Sequence, residues 1–310
     1  MPVFRDDLPR WRQLITPHWL HQLVVGAAPN VAPAKPWRLL EVGCDAYSAF
    51  LACHIPGATY LDTQALEEPP FWNKVADPVL LALLLKLGIR HDTTVIVYGR
   101  NLAAAARAAH LLLYAGVSDV RFLDGGFHGW TRAGLPCAAG PAPHSPSATD
   151  FGTEFPACPH YLINLRQAQA LSQQASAALV SIRTWDEFTG KTSGYSYISA
   201  KGDIPGARWG QAGQGSDVND MSAFHDAEKR LRRAHDITEF WRLEGIHPGL
   251  QTVFYCGTGW RASLAFYCAW LMGWERISVF DGGWFEWSEN SPCPSCQKHY
   301  QTTGLLNQIR

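Results

Sequence analysis

The 310-residue chain repeats a set of motifs, and this repeat limits its possible folds more than any other feature. An Ile-Pro-Gly-Ala turn begins at Ile55 and again at Ile204, and an Asp-Gly-Gly turn begins at Asp124 and again at Asp281. A strand precedes the first turn of each set, and a strand, a helix and a third strand are predicted between the two turns. Motifs that recur in a fixed order indicate copies of one structural unit. We therefore expect two domains with the same fold.

The pattern within each copy favours a parallel α/β sheet. Short β-branched and aromatic runs, "TTVIVY" at 93–98 and "QTVFYC" at 251–256, are typical of buried strands. An apolar run long enough for a helix follows each of them, at 102–116 and at 261–274. Strands that alternate with helices predict parallel βαβ units with helices on both faces of the sheet.

A segment rich in proline and small residues separates the two copies. It runs from 136 to 158, "PCAAGPAPHSPSATDFGTEFPAC", and shows no hydrophobic periodicity. Such a composition is typical of a linker of limited flexibility. We place the domain boundary near residue 150, so that the predicted domains are residues 1–150 and residues 151–310.

One difference between the copies points to a reactive residue. Cys256 lies 25 residues before Asp281, whereas the residue 25 positions before Asp124 is Gly99. Only the second copy therefore has a thiol at this position. We predict that the second domain is active and that the first domain helps to form the wall of the cleft.

The residues that follow Cys256 favour a reactive thiolate, which is the nucleophilic form of cysteine. Gly257 and Gly259 let the backbone curl, so that successive N–H groups can converge on an anion. The predicted helix after the loop adds the positive end of its dipole. Thr258 supplies a hydroxyl and Arg261 a positive charge, and Trp260 is expected to narrow the pocket or close over its ligand. We therefore predict that Cys256 is the nucleophile.

The other cysteines have different predicted roles. Core-like neighbours predict that Cys44, Cys53 and Cys268 are buried thiols. Cys293 and Cys296 have C-x-x-C spacing, for which two thiols in a surface tail are favoured over a redox pair. A structural zinc site needs four ligands, and the sequence has no second pair, so no metal is expected.

Composition excludes several kinds of partner. The formal net charge is −1, whereas nucleic-acid-binding proteins usually carry a strong basic excess, so no nucleic acid is expected. No apolar run approaches the ~18 residues of a membrane span, and the N-terminus lacks the apolar core of a signal peptide. Eight cysteines are too few for a disulfide scaffold. We expect a cytoplasmic protein without membrane association, or a periplasmic one if a leader has been removed.

Together these motifs resemble the tandem-domain rhodaneses, the family of thiosulfate and 3-mercaptopyruvate sulfurtransferases. The resemblance rests on "HIPGA" at 54–58, "DIPGA" at 203–207, both Asp-Gly-Gly turns and the loop from Cys256 to Arg261. It is strongest to a bacterial multidomain rhodanese-like subgroup, through "LEEPPFWNK", "SGYSYISAKGDIPGARWG" and "YCGTGWRAS". The resemblance implies two tandem rhodanese-like domains, each a central parallel sheet flanked by helices, of which the first lacks the active cysteine.

The resemblance also implies a reaction. Cys256 would take a sulfane sulfur from thiosulfate or 3-mercaptopyruvate and hold it as a persulfide, stabilised by the backbone N–H groups from Gly257 to Arg261. Cyanide, a small thiol or a protein thiol would then accept the sulfur, and no cofactor is implied. Candidate contacts for the donor anion are Arg183, Lys201 and Arg208, each with a surface or interdomain ion pair as the alternative. His54 matches a histidine proposed to assist mercaptopyruvate turnover, with a plain turn histidine as the alternative.

Three other functions stay open. The first is a persulfide carrier or binding module that partner proteins fill and empty, without efficient turnover of small molecules. The second is a phosphatase or arsenate reductase, although these need arginine six positions after the cysteine and Arg261 is one position short. The third is a redox protein that uses Cys293 and Cys296.

Overall fold

A computed structural model describes residues 4–33, 36–142 and 146–290. The strands of the first half are β1 Leu14–Ile15, β2 Trp37–Gly43, β3 Thr59–Asp62, β4 Glu67–Glu68, β5 Asn73–Lys74, β6 Thr94–Gly99 and β7 Asp119–Leu123. Those of the second half are β8 Leu162–Ile163, β9 Ala177–Ser181, β10 Arg208–Trp209, β11 Gln251–Tyr255 and β12 Ile277–Phe280.

The helices alternate with these strands. The first half has α1 Pro17–Val24, α2 Tyr47–Ala52, α3 Asp77–Lys86, α4 Leu102–Ala115 and α5 Gly126–Arg132. The second half has α6 Leu165–Ser172, α7 Trp185–Phe188, α8 Ala234–Leu243, α9 Trp260–Leu271 and α10 Gly283–Asn290. None of the described helices has the length and apolar character that a membrane crossing requires.

Each half of the chain forms one five-stranded sheet, and the two sheets have the same topology. The strand order is β1-β7-β6-β2-β3 in the first sheet and β8-β12-β11-β9-β10 in the second. All strand pairs within these two sheets are parallel. The small ribbon of β4 and β5 is antiparallel and lies outside both sheets. The structure therefore confirms the α/β class and the repeat predicted from the motifs.

Helices α4 and α9 pack against each other between the two halves. Every residue of α4 from Ala103 to Ala115 is buried, and so is every residue of α9 from Arg261 to Leu271. A helix that is apolar around its whole circumference is stable only when protein covers it on all sides. The two runs are therefore apolar because both helices lie in one interior that the two halves share.

The main hydrophobic core contains side chains of both halves. It includes Val97 of β6 and Ala109 of α4 from the first half, and Phe254 of β11 and Ala265 of α9 from the second. One smaller cluster covers the outer face of each sheet, around Trp130 in the first half and around Trp284 in the second. The halves are thus joined by core packing, which is more extensive than a contact between separate surfaces.

The predicted linker is irregular and closely attached to the first half. Between Arg132 and Pro159 the described residues contain no helix and no strand of either sheet. The backbone N–H groups of Ala157 and Cys158 donate to the carbonyl oxygens of Ala115 and Tyr114 at the end of α4. The division at residue 150 stays a prediction, because the core continues across it.

Candidate active site

The loop that contains Cys256 lies at the carboxyl edge of the second sheet. Cys256 directly follows Tyr255, the last residue of the central strand β11, and α9 begins at Trp260. Gly259 caps the helix with a φ of 117°, a conformation that residues with a side chain rarely adopt. Glycine at this position therefore allows the chain to pass from strand to helix within a few residues, as the sequence predicted.

The Cys256 thiol lies inside this loop and points toward its amide groups. Its side chain is 1% exposed, and its Sγ accepts a hydrogen bond from the Gly259 N–H at 3.2 Å. Tyr195 packs against the other side of the loop, since a Cβ on Gly257 would lie 2.2 Å from its ring. A backbone donor aimed at sulfur stabilises negative charge there.

The second Asp-Gly-Gly turn, which begins at Asp281, packs against the backbone of the cysteine loop. The N–H of Trp284 donates to the carbonyl oxygen of Cys256 at 2.8 Å, and a Cβ on Gly283 would lie 2.5 Å from that oxygen. In the first half, a Cβ on Gly126 would lie 2.6 Å from the carbonyl oxygen of Gly99. Gly99 therefore occupies the position of Cys256, and the equivalence inferred from sequence spacing is confirmed.

Arg261 is engaged by a carboxylate and is not a free cation. Its two Nη atoms donate to the two carboxylate oxygens of Glu187 at 2.7 and 2.9 Å, and Nη2 also donates to the Tyr195 hydroxyl at 2.9 Å. Burial alone would raise the pKa of Glu187, but the hydrogen bonds and charge of Arg261 outweigh it and lower this pKa to about 2. Both side chains are therefore charged, and the pair has no net charge.

The first half contributes two residues to the loop that the sequence analysis missed. Arg107 of α4 is 0% exposed and binds Glu67 at 2.7 Å and Asp281 at 2.5 Å. Glu67 also accepts a hydrogen bond from the Trp260 indole N–H at 2.8 Å. A lone arginine within the alanine-rich run of α4 was the available signal, because a charge in a buried helix requires a partner.

Glu67 is held in an unusual state by this arrangement. Burial raises its pKa, and the Arg107 guanidinium lowers it again, so that the pKa is about 7. The remaining nitrogen of Arg107, Nη1, is buried and has no hydrogen-bond partner among the described residues. It lies close to Gly259, since a Cβ there would be 3.3 Å away. Arg107 therefore places positive charge directly behind the cysteine loop.

A cavity of ≈350 Å³ opens between the two halves in front of the loop. The first half contributes Cys44, Asp45, Glu67 and Trp72 to its lining, and the second contributes Tyr195, Tyr197, Thr258, Trp260 and Arg261. Three of the loop residues singled out in the sequence are therefore brought to one cavity, above the buried Cys256. The first domain does form part of the cleft wall, as predicted.

The three candidate contacts for a donor anion lie elsewhere. Arg183 is buried and binds Asp203 at 3.1 Å and Glu187 at 3.3 Å. Lys201 is exposed, and its Nζ donates to a backbone carbonyl. Arg208 donates to the carbonyl oxygen of Gly245, which precedes β11 and so lies toward the opposite edge of the sheet. None of the three lines the cavity in front of the loop among the described residues.

His54 is a packing residue of the first half. It is 2% exposed, its Nδ1 lies 2.8 Å from the carbonyl oxygen of Phe50, and its ring stacks on Phe50 at 4.0 Å. Its backbone pairs with Ala138. This arrangement is that of the plain turn histidine, the second of the two interpretations.

The prediction of buried thiols is correct for one cysteine of three. Cys268 in the middle of α9 is buried, and burial raises the pKa of its thiol. Cys53 is half-buried, and Cys44 is exposed because it directly follows the end of β2 at the rim of the cavity. The core-like neighbours of Cys44 belong to the strand before it. Cys293 and Cys296 lie outside the described residues.

The fold and the loop together define a class: a two-domain α/β protein with one cysteine held in an anion-stabilising loop between its domains. The family model for the rhodanese-like domain matches residues 33–133 and 164–290. The chain therefore belongs to the rhodanese-like domain family, and it carries this domain twice.

Three relatives illustrate the comparison. The chain is 51% identical to the thiosulfate sulfurtransferase YnjE of Escherichia coli over 293 residues, which are 94% of this chain and 67% of that protein. The crystal structure of YnjE matches with a TM-score of 0.89, over 93% of this chain and 69% of that one. A 3-mercaptopyruvate sulfurtransferase of the same species is 26% identical over 79% of this chain and 84% of its own length.

The third relative is an anaerobic ergothioneine biosynthesis enzyme from Chlorobium limicola, solved in complex with trimethyl histidine. Its structure matches with a TM-score of 0.87 and 36% identity, over 94% of this chain and 71% of that one. The two Escherichia coli relatives are sulfurtransferases, and they support the class that the resemblance implied.

Proposed function

We propose that this protein is a sulfurtransferase that moves a sulfane sulfur from thiosulfate or 3-mercaptopyruvate to a thiol or cyanide. Cys256 is the nucleophile, and the backbone N–H groups from Gly257 to Arg261 stabilise the persulfide. The names of the two Escherichia coli relatives support the two donors, and the higher identity of the first favours thiosulfate.

The proposed reaction has two steps, as in covalent catalysis generally. The Cys256 thiolate attacks the outer sulfur of thiosulfate, the sulfur–sulfur bond breaks, and its electron pair leaves with sulfite. With 3-mercaptopyruvate the carbon–sulfur bond breaks instead, and the leaving enolate takes a proton to become pyruvate. An acceptor nucleophile then attacks the outer sulfur of the persulfide and restores the Cys256 thiolate.

One observation carries the proposal: the Gly259 N–H points at the Cys256 sulfur from 3.2 Å, inside a loop that begins a helix. A loop of this size encloses a single sulfur atom, because only four residues, 256–259, separate the strand from the helix. We assign no role in donor binding to Arg183, Lys201 and Arg208, because each side chain donates hydrogen bonds to backbone carbonyl oxygens outside the cavity.

Intact mass of the reduced protein tests this proposal. After incubation with thiosulfate or with 3-mercaptopyruvate, we expect a gain of one sulfur atom that cyanide removes. The Cys256→Ser variant should gain none. Cys44→Ser, which lacks the other thiol of the cavity, and Cys137→Ser, which lacks an exposed thiol outside its lining, should load as the unmodified chain does.

Two results would contradict the proposal. Loss of loading in Cys44→Ser, with loading intact in Cys256→Ser, would show that Cys44 and not Cys256 carries the persulfide. Absence of loading from both small donors, together with loading by a persulfidated protein, would favour the carrier function instead. The relative rates of loading with the two donors identify the preferred one.

A further inference from the structure

The cavity in front of the cysteine loop lacks a free positive charge. Among the described residues of its lining, Arg261 is the only lysine or arginine, and both of its Nη atoms bind Glu187. Arg107 lies behind the lining and faces two carboxylates, Glu67 and Asp281. The positive charges nearest the loop, on Arg107 and Arg261, are therefore each paired with at least one carboxylate, Asp281 and Glu187.

The mouth of the cavity adds a further carboxylate. Asp45 is exposed, it accepts a hydrogen bond from the neutral amide of Gln64 at 2.8 Å, and no described lysine or arginine forms an ion pair with it. Its backbone has a φ of 51°, in the left-handed region that aspartate tolerates better than most residues. The structure thus presents an unpaired negative charge at the entrance.

Aromatic rings line the same cavity as this carboxylate. Trp72 of the first half is 36% exposed and Tyr197 of the second half is 48% exposed, and both line the cavity. Deeper in the lining, Tyr195 packs at 5.4 Å from Tyr197 and binds Arg261. Several aromatic rings on one cavity wall form an apolar patch of the kind that marks a ligand-binding surface.

Trp72 is also held in a strained conformation. Its φ is 59°, a value that a bulky aromatic residue adopts at a cost of about 1–3 kcal/mol. Of the five non-glycine residues with positive φ among the described residues, Asp45 and Trp72 both line this one cavity. Strained residues of this kind cluster at active sites and ligand clamps.

We propose that the cavity takes a small organic cation as the sulfur acceptor, with its cationic group against Trp72, Tyr197 and Asp45. Aromatic faces and a carboxylate are the groups that bind a quaternary or primary ammonium in water. The nucleophilic end of the acceptor then points inward, past Thr258, to the sulfur on Cys256. This acceptor class rests on the proposed sulfurtransferase activity, but the binding site itself does not depend on it.

The transfer step balances with a cationic thiol as acceptor. Its thiolate attacks the outer sulfur of the Cys256 persulfide, and the bond between the two sulfurs of the persulfide breaks. The electron pair stays on Cys256 as a thiolate, and the acceptor leaves with one additional sulfur. Neither an oxidant nor a reductant is required.

Binding of choline and of its neutral isostere, 3,3-dimethylbutan-1-ol, tests the site directly. The two probes have the same shape and differ in charge. We expect choline to bind the full chain at least about tenfold more tightly in a calorimetric or ligand-observed NMR titration. Equal or tighter binding of the neutral alcohol, or no measurable binding of choline, would overturn the proposal.

Matched variants locate the binding. Trp72→Leu and Asp45→Asn should each weaken choline binding by about three- to tenfold. Trp185→Leu removes a tryptophan of similar exposure outside the lining, and Asp92→Asn removes an exposed aspartate of the first half; both should leave binding unchanged. An equal loss in the control variants would contradict the assigned position.

The acceptor step is tested on the loaded protein. Discharge of the Cys256 persulfide is followed with thiocholine, 2-mercaptoethanol and 2-mercaptoethanesulfonate, at equal concentrations of thiolate. The cationic thiol should react at least about tenfold faster than the anionic one, and Asp45→Asn should reduce this preference. No preference would refute the acceptor class.

Choline binding by the Cys256→Ser variant separates this proposal from the proposed function. If the unmodified chain fails to load sulfur while the variant binds choline, only the sulfurtransferase activity is refuted. If loading succeeds and choline does not bind, only the cation site is refuted.

Discussion

The charge on Arg261 is balanced by one carboxylate, Glu187, which lies 74 positions earlier in the chain. Glu187 has no exposed surface, and it binds Arg183 as well as Arg261. The local sequence identified Arg261 as a positive charge in the loop, because charge is a property of the residue itself. It did not identify the partner, because pairing across such a separation is decided by the fold.

Glu187→Gln should therefore destabilise the protein. The variant leaves Arg261 buried without a carboxylate, and breaking a buried pair in this way costs about 3 kcal/mol. We expect a lower midpoint in urea and slower loading of Cys256. Glu239→Gln breaks an exposed pair with Arg242 and should leave the midpoint nearly unchanged. An equal response of the two variants would contradict a special role for the buried pair.

Glu67 should make stability depend on pH. Its pKa is about 7 in the folded protein, above the ordinary value of 4.5, chiefly because it is buried. The folded state thus holds a proton that the unfolded state releases, so the stabilisation is complete below 4.5 and is lost as pH rises through 7.

Urea unfolding of the unmodified chain and of Glu67→Gln, between about pH 5 and about pH 8, measures this effect. The free energy of unfolding of the unmodified chain should fall relative to the variant by on the order of 2–3 kcal/mol as pH rises. A constant difference between the two proteins would contradict a titrating Glu67. Asp124 and Glu286, whose pKa values burial also raises, are present in both proteins and cancel in the comparison.

At the scale of elements, local patterns predicted the strands and helices that carry the site. The runs at 93–98 and 251–256 form β6 and β11, and the runs at 102–116 and 261–274 form α4 and α9. Hydrophobic periodicity and glycine positions reflect local structure, so they can be recognised in a single sequence. The ribbon of β4 and β5, which carries Glu67, was not predicted, because two-residue strands have no periodicity.

The turn below the cysteine loop allows a matched test of the repeat. Gly283→Ala and Gly126→Ala introduce the same clash, with a carbonyl oxygen at 2.5 Å in one copy and 2.6 Å in the other. Both have a φ of 54°, so each variant should lose about 2 kcal/mol of stability. Only Gly283→Ala should also slow sulfur loading, by at least about tenfold, because its clash displaces the carbonyl of Cys256. Equal loading rates would show that the turn does not position the cysteine.

At the scale of the whole molecule, the repeat predicted two copies but not how closely they are joined. The apolar character of α4 and α9 was visible, whereas their mutual packing was not, because a sequence gives the pattern of a helix and not its neighbour. Tyr267 of α9 donates to the carbonyl oxygens of Gln13 and Val120 in the first half. The proposed boundary at residue 150 therefore divides the sequence without dividing the core.

Unfolding should consequently be cooperative across both halves. In urea, fluorine NMR signals of labelled tryptophans should disappear at one concentration for Trp130 in the first half and Trp284 in the second. A shared core predicts this coincidence, because neither half can expose its face of the α4–α9 contact while the other stays folded. Two separate transitions would show that the halves are independent domains in the thermodynamic sense.

The contact between Arg107 and the cysteine loop has a consequence for how this gene can change. Duplication commonly leaves one copy free to accumulate substitutions, and the first copy here has Gly99 and no thiol at the position of Cys256. Yet Arg107 and Glu67 belong to that copy and bind Asp281 and Trp260 of the other. Selection for activity therefore acts on both copies. A substitution at one of these four positions should be accompanied by substitutions at the others.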